Sequence, residues 1–204
     1  ITGGQNTVGL RVPSNPTALA LIQEFEKISD SAIAAPSANR FGQVSSTSGS
    51  DVFEELGQFL SNEDLILDGG NSSIGIESTI IDCTNESPMI LRHGFITEEN
   101  IDSKLGITFN IQSSQNSVKF SGSFEKHYAP KCRIVVDDYT QKGAGFLALR
   151  DIETPEDMKR LAGPATVEEF ARILYATFRE ADRDNLKVLV VIPPKEEGLG
   201  IAIC

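Results

Sequence analysis

Small and polar residues stand where an apolar segment of the chain ends. Residues 31–35 predict a short buried strand, and Ser37 and Asn39 follow it directly. Small side chains past a strand end let backbone N–H groups face a ligand, and hydroxyl and amide groups add donors and acceptors. Such a set suits phosphate and carboxylate oxygens. A second interpretation stays open, because Ser-x-Asn also makes turns and helix caps.

Two arginines stand near the ends of further predicted strands. Arg11 lies in an alternating segment over residues 7–13, and Arg92 lies in an apolar segment over residues 89–94. An arginine fork is the best side chain for a carboxylate or a phosphate, although Arg11 on a strand edge can equally be a solvated charge.

A polar triplet, Glu77-Ser78-Thr79, interrupts an otherwise apolar strand predicted over residues 74–82. Buried polar groups need hydrogen-bonding partners. The triplet therefore either bonds to neighbouring backbone or lines a cleft.

Helices are predicted between these strands. One more buried strand is predicted over residues 65–70. Asn15 precedes the first helix, Ser48 or Ser50 caps the second, and Thr97 caps the third. Folds that alternate strands and helices bind ligands at strand ends. Arginines and hydroxyl groups that converge there would suit a nucleotide and a small carboxylic acid together.

The C-terminal part has a different pattern. Three apolar segments, residues 133–137, 145–150 and 188–192, predict strands, and Thr166-x-x-Glu169 predicts a capping box that opens a helix. This order predicts a small parallel α/β layer without a catalytic constellation. The charges at 179–183 predict either a solvated helix face or a docking site.

Composition bounds the class of protein. The 204 residues carry a net charge of −11, with 40% hydrophobic and 23% charged residues, which disfavours nucleic-acid binding by overall charge. Two His and three Cys without C-x-x-C spacing give no zinc or redox framework, so no metal site is predicted. The unpaired-looking cysteines fit reduced thiols in a cytoplasm best. No apolar run reaches transmembrane length and no signal peptide opens the chain.

Several short motifs follow one another in a fixed order. They are Arg11-x-Pro13, Ala35-Pro36-Ser37-Ala38-Asn39, Ser45-Ser46-Thr47, Asp68-Gly69-Gly70, Gly75-x-Glu77-Ser78-Thr79 and Leu91-Arg92-x-Gly94-x-Ile96-Thr97. Together this set resembles the YrdC/Sua5 family of L-threonylcarbamoyladenylate synthases. Two later motifs resemble the longer Sua5 branch of that family: His127-Tyr128-Ala129-Pro130 and Gly198-Leu199-Gly200-x-Ala202.

The resemblance implies a fold of the α/β class. A YrdC-like twisted open sheet with helices is expected over residues 1–108, a linker over 109–131, and a small Rossmann-like parallel α/β domain over 132–204. It also implies that the N-terminal part of the catalytic domain lies upstream of Ile1. The chain as given is therefore expected to be inactive alone.

The family reaction makes threonylcarbamoyl-AMP and pyrophosphate from L-threonine, bicarbonate and ATP, for the threonylcarbamoyladenosine modification of tRNA. The resemblance implies these substrates, Mg²⁺ as cofactor, and delivery of the product to the tRNA threonylcarbamoyl transferase. No membrane or stable nucleic-acid partner is expected. Two other functions stay open, a carbamoyltransferase with a YrdC-type domain and a non-catalytic RNA-binding module. The linker motif argues against the first, and the acidic charge against the second.

Site residues follow from the same resemblance. It implies that Arg11, the backbone at Ala35, and Ser78 hold L-threonine. The residues expected to contact ATP are Thr7, Ser37, Asn39, Ser45, Arg92 and Tyr128. Arg11, Ser37 and Asn39 are expected to be catalytic through positioning and charge neutralisation, without a covalent nucleophile. Tyr128 either belongs to a lid over the nucleotide or seats the linker on the second domain.

Overall fold

The computed structural model describes residues 2, 4–35, 37–106, 109 and 129–204. These residues form two compact units, the first within Ile1–Ser72 and the second within Ser73–Asn116 and Tyr128–Cys204. The division differs from the domain boundaries after residues 108 and 131, which follow motifs and composition and stay a prediction. No helix among the described residues is both long and apolar enough to cross a membrane.

Two helices form in the first unit where the sequence supplies caps. Helix α1 spans Pro16–Glu26, and the Asn15 side chain accepts a hydrogen bond from the N–H of its third residue at 3.1 Å. Helix α2 spans Gly49–Leu56, is capped by Ser48, and continues as a 3₁₀ turn over Gly57–Phe59. Both predicted helices are confirmed, and Ser48 rather than Ser50 is the cap.

Three predicted strands of the first unit, over residues 7–13, 31–35 and 65–70, are wrong, because the described residues contain no strand there. A strand needs a neighbouring strand for its hydrogen bonds, and no described residue pairs with these segments. Their apolar side chains face solvent, since Leu10 is 86% and Val12 is 94% exposed. A local apolar pattern, alternating or continuous, is therefore not sufficient for a strand.

The second unit begins with a small antiparallel pair. Strand β1 spans Ile80–Asp82 and strand β2 spans Met89–Arg92, and the last residue of β2 lies opposite the first of β1. Both strands are shorter than predicted. Helix α3 spans Glu98–Leu105, with Thr97 and Asn100 forming its capping box.

A parallel sheet and one long helix form the C-terminal layer. The elements are β3 Arg133–Val136, β4 Gly145–Leu147, β5 Lys159–Ala162, helix α4 Val167–Arg183, β6 Val188–Val191 and a 3₁₀ turn Gly198–Ala202. The sheet order is β3-β6-β4-β5, and every pairing is parallel. The expected mixed α/β class with a parallel C-terminal layer is confirmed. Strand β5 was not predicted, because its two basic residues hide the apolar pattern.

Helix α4 packs one face into the core of this layer. Phe170 and Ala171 are fully buried and Leu174 is 6% exposed. Thr166 caps the helix by accepting from the Glu169 N–H at 3.2 Å. The Glu169 carboxylate accepts a hydrogen bond at 2.7 Å from the N–H of Ala165, the residue before the cap, rather than from the N–H of Thr166. Arg179, predicted on a solvated or docking face, is instead buried, at 6% exposure.

An aspartate of α4 fixes the start of β3. The Asp182 carboxylate accepts from the Lys131 N–H and the Cys132 N–H, each at 2.9 Å. Burial raises the pKa of the Cys132 thiol to about 11, and the charge of Asp182 acts in the same direction. The neutral thiol is therefore the form that the fold favours.

Candidate active site

Arg92 and Ser78, two predicted site residues, are in direct contact in the second unit. The Arg92 guanidinium donates to the Ser78 backbone carbonyl from Nε at 3.0 Å and from Nη2 at 2.8 Å. Glu77 Oε2 lies 3.4 Å from the same Nη2, and the Arg92 and Glu77 side chains are 13% and 22% exposed. An ion pair shielded in this way is stronger than one on an open surface. The fork of Arg92 therefore holds the backbone of the polar triplet.

Gly94 brings the segments after β2 and before β1 into contact. It is buried, and a Cβ at its position would lie 2.2 Å from Thr79 N and 2.5 Å from Glu77 O. Only a residue without a side chain fits there. The Thr79 hydroxyl also donates to the carbonyl of Ile96. We call this assembly the clasp and define it as residues 77–79 and 92–96.

The clasp supports the first interpretation of the polar triplet, bonding to neighbouring parts of the chain, and a role of the triplet in a cleft stays a prediction. Glu77 and Thr79 both bond to neighbouring parts of the chain, through Arg92 and Ile96. Ser78 uses its backbone carbonyl in the clasp, and the residue itself is exposed. The triplet thus folds against backbone and leaves Ser78 at the surface of the second unit.

In the first unit, Asn39 closes the loop that follows residues 31–35. Its Nδ2 donates to the carbonyl of Gln43 at 2.9 Å and to that of Arg40 at 3.0 Å. Its Oδ1 is buried and has no partner among the described residues. Ser46 Oγ donates to the carbonyl of Ala38 at 2.9 Å and tightens the same loop. Asn39 therefore has a structural role here besides its predicted contact with ATP.

Asp51 is a residue that sequence reasoning missed. It is 3% exposed, and its Oδ2 accepts from both the N–H and the hydroxyl of Thr47 at 2.9 Å. Its own N–H donates to Ser48 Oγ at 3.2 Å. A carboxylate in the first turn of a helix is favoured by the helix dipole. The spacing Ser48-x-x-Asp51 is a helix-start pattern that could have revealed it.

The remaining predicted residues of the first unit lie on its surface or near it. Arg11, Ala35 and Ser37 are exposed, whereas Thr7 and Ser45 are half-buried. Arg11 forms no ion pair with a described residue. The roles expected for these residues stay predictions, as does the lid, because His127 and Tyr128 lie outside the described residues.

The described residues hold no cluster of metal-binding side chains. They contain no group of three or more His, Cys, Asp or Glu side chains that could hold a metal ion. Proteins bind Mg²⁺ with one or two carboxylates when substrate phosphates supply further ligands. The described residues therefore offer no protein cage for this ion.

Two family models match almost the whole chain. Residues 1–94 match the Sua5/YciO/YrdC model, described as "Telomere recombination". Residues 96–204 match the model described as "Threonylcarbamoyl-AMP synthase, C-terminal domain". The change from one model to the next falls inside the second compact unit, which begins at Ser73.

Curated relatives and solved structures agree with these models. Threonylcarbamoyl-AMP synthase of Pyrococcus abyssi is 33% identical over 224 residues, a match that covers 100% of this chain and 63% of that protein. The Bacillus subtilis enzyme of the same name is 32% identical over 223 residues, with 100% and 62% covered. The crystal structure of P. abyssi Sua5 complexed with L-threonine matches with a TM-score of 0.77 at 31% identity, covering 100% of this chain and 63% of that one. The chain thus spans less than two thirds of these relatives.

Proposed function

Because the chain belongs to the Sua5/YrdC family, we propose that the full-length protein makes threonylcarbamoyl-AMP from L-threonine, bicarbonate and ATP and releases pyrophosphate. The observation that carries this proposal is the presence of both family models, at residues 1–94 and 96–204, in one chain. The P. abyssi structure was determined with L-threonine, which supports this amino acid as the substrate. The product would pass to the tRNA threonylcarbamoyl transferase.

The reaction needs positioned substrates more than a reactive side chain. Bicarbonate takes up a proton and loses water to give CO₂. The neutral amine of L-threonine then forms a bond to the carbon of CO₂ and gives up a proton. An oxygen of the resulting carbamate then attacks the α-phosphorus of ATP, and pyrophosphate leaves. Holding two reactants in register and neutralising phosphate charge can supply most of the rate enhancement.

We assign the charged groups by this chemistry. Arg11 would bind the threonine carboxylate, because its guanidinium is exposed and makes no ion pair with a described residue. Arg92 would face ATP phosphate, and its bonds to Ser78 and Glu77 hold its orientation before the nucleotide arrives. Ser37 and Asn39 would add hydroxyl and amide contacts at the phosphates.

Mg²⁺ is proposed to arrive with ATP and to neutralise phosphate charge when bound. Because the described residues provide no cage of three acidic, imidazole or thiolate ligands, phosphate oxygens and water would supply most of its ligands. The positioning of threonine is a task for the protein's own residues.

A cytoplasmic location is part of the proposal. The described residues include three free cysteines, Cys83, Cys132 and Cys204. Thiols stay reduced in the cytoplasm, where ATP and tRNA are also present.

Pyrophosphate release by the full-length protein tests the proposal. Each of L-threonine, bicarbonate and ATP is omitted in turn, and release is expected only when all three are present. Arg11→Ala should reduce release, whereas Arg133→Ala, at an exposed arginine of β3, serves as the matched control. ATP turnover at the same rate with and without L-threonine would refute the proposal.

A further inference from the structure

The segment that leads into the clasp rests on helix α4. Gly75 is buried, and a Cβ at its position would lie 1.9 Å from the carbonyl oxygen of Arg172 and 2.9 Å from that of Ala171. Real Cβ atoms essentially never approach other atoms within 3.0 Å. The backbone at Gly75 therefore touches the backbone of the second turn of α4. Any larger residue would displace one of the two segments.

This contact joins parts of the chain that the family models separate. Gly75 lies in the part matched by the first model, and α4 lies in the part matched by the second. Both belong to the second compact unit. The Gly75 end of the polar motif therefore packs with the C-terminal layer, and that layer is well anchored, because Phe170 and Ala171 are fully buried.

Only Ile76 separates this contact from the clasp. Ile76 is 9% exposed, so it fixes the segment further. The next residue, Glu77, accepts from the Phe95 N–H at 3.3 Å and pairs with Arg92 at 3.4 Å. A shift of the backbone at Gly75 would therefore also displace Glu77 and Ser78, because the single buried residue between Gly75 and Glu77 cannot absorb it.

We propose that the C-terminal layer positions the clasp through helix α4, and that Gly75 is the positioning residue at the contact. The inference deepens the proposed function and rests on it for the ligands, threonine at Ser78 and ATP at Arg92. It gives the C-terminal layer a task in the reaction although no catalytic constellation is predicted in that layer. A misplacement of about 1 Å in a positioned group can lower activity about a hundredfold.

Hydrogen–deuterium exchange of the full-length protein tests whether the Gly75 contact with α4 holds the clasp, and it does not depend on activity. Gly75→Ala should speed exchange of the clasp amides at least about fivefold, while β3 and β6 stay protected. Thr166→Ala removes the cap of α4 at a distance from Gly75, so it covers the case in which Gly75→Ala does not fold. It should speed exchange of the same amides by up to about fivefold, the usual effect of losing one cap.

Two control variants separate this contact from general loosening. Arg172→Ala removes an exposed side chain but keeps the carbonyl that Gly75 touches. Asn15→Ala removes the cap of α1 in the first unit. Both should leave exchange in the clasp unchanged. Unchanged exchange in Gly75→Ala and Thr166→Ala, or equal acceleration in a control, would overturn the inference.

Calorimetric titration with L-threonine distinguishes the inference from the proposed function. If the wild-type protein binds L-threonine, Gly75→Ala should weaken binding about tenfold and Arg172→Ala should not change it. Unchanged binding in Gly75→Ala would overturn the positioning role. Absence of binding in the wild type would contradict the proposed function, while the exchange data would still decide whether α4 holds the clasp.

Discussion

Replacing Arg92 by alanine removes a structural contact as well as a proposed ATP ligand. The two hydrogen bonds to the Ser78 carbonyl, at 3.0 and 2.8 Å, share one acceptor. A hydrogen bond with one charged partner contributes about 1.5–3 kcal/mol. Glu77, whose side chain is 22% exposed, would also lose its partner at 3.4 Å. We therefore expect Arg92→Ala to lower the free energy of unfolding by about 2–4 kcal/mol.

The family resemblance implies only that Arg92 contacts ATP, whereas this loss of stability gives Arg92 a structural role as well. A residue that only binds ATP could be removed without loss of stability, whereas Arg92 holds the clasp together. Arg92→Lys keeps the charge but lacks the fork, so the loss should be about half as large. ATP affinity should fall in both variants.

Urea unfolding of the full-length protein, followed by far-ultraviolet circular dichroism, measures the loss. Arg133→Ala is the matched control, because its guanidinium is exposed and donates only to Gln141, at 3.0 Å, among the bonds between described residues. This control should change the free energy of unfolding by no more than about 0.5 kcal/mol. An Arg92→Ala variant as stable as the control would show that the clasp does not depend on this side chain.

Three further predictions concern other residues. Arg11→Ala should raise the L-threonine requirement about ten- to a hundredfold, the value of a charge-assisted bidentate contact, and change the ATP requirement little; separate titrations decide, and an equal loss for both substrates contradicts the assignment. Tyr128→Ala should impair synthesis while both units stay folded, and ATP with L-threonine should protect residues 126–131 from protease; normal activity with unchanged cleavage would make this segment a tether. Cys132, with its pKa raised to about 11 by burial and Asp182, should react with iodoacetamide at pH 8 far more slowly than exposed Cys83. Equal labelling rates would contradict the burial of Cys132. Because the fold disfavours its thiolate, the contribution of this thiol to the free energy of unfolding is complete below its ordinary pKa and is lost as the pH rises towards 11.

Local signals in the sequence are sufficient to predict the helices and most strands of the C-terminal layer. The caps Asn15, Thr97 and Thr166 act on residues within one helical turn, so their patterns are visible in the sequence. The strands β3, β4 and β6 are apolar runs, and β4 and β6 lie in the buried core of the C-terminal layer. Their core is formed by residues such as Phe146 and Val190, both fully buried.

Contacts between distant residues are not visible in the same way. The Arg92 fork bonds to a carbonyl 14 residues away, and Gly75 meets the backbone of Arg172 in α4. A motif marks Ser78 and Arg92 as site residues, but it does not say that they touch. The strands predicted over residues 7–13, 31–35 and 65–70 failed for the same reason, because a strand depends on a partner that a local apolar pattern does not reveal.

Transfer of labelled carbon from bicarbonate into a nucleotide tests the proposed function most directly. The full-length protein is incubated with ¹³C-bicarbonate, L-threonine, ATP and Mg²⁺, and the nucleotides are separated and weighed by mass spectrometry. We predict an adenylate that contains both threonine and the labelled carbon, formed together with pyrophosphate. Unlabelled threonyl-adenylate, or ATP hydrolysis without a labelled nucleotide, would contradict the synthesis of threonylcarbamoyl-AMP.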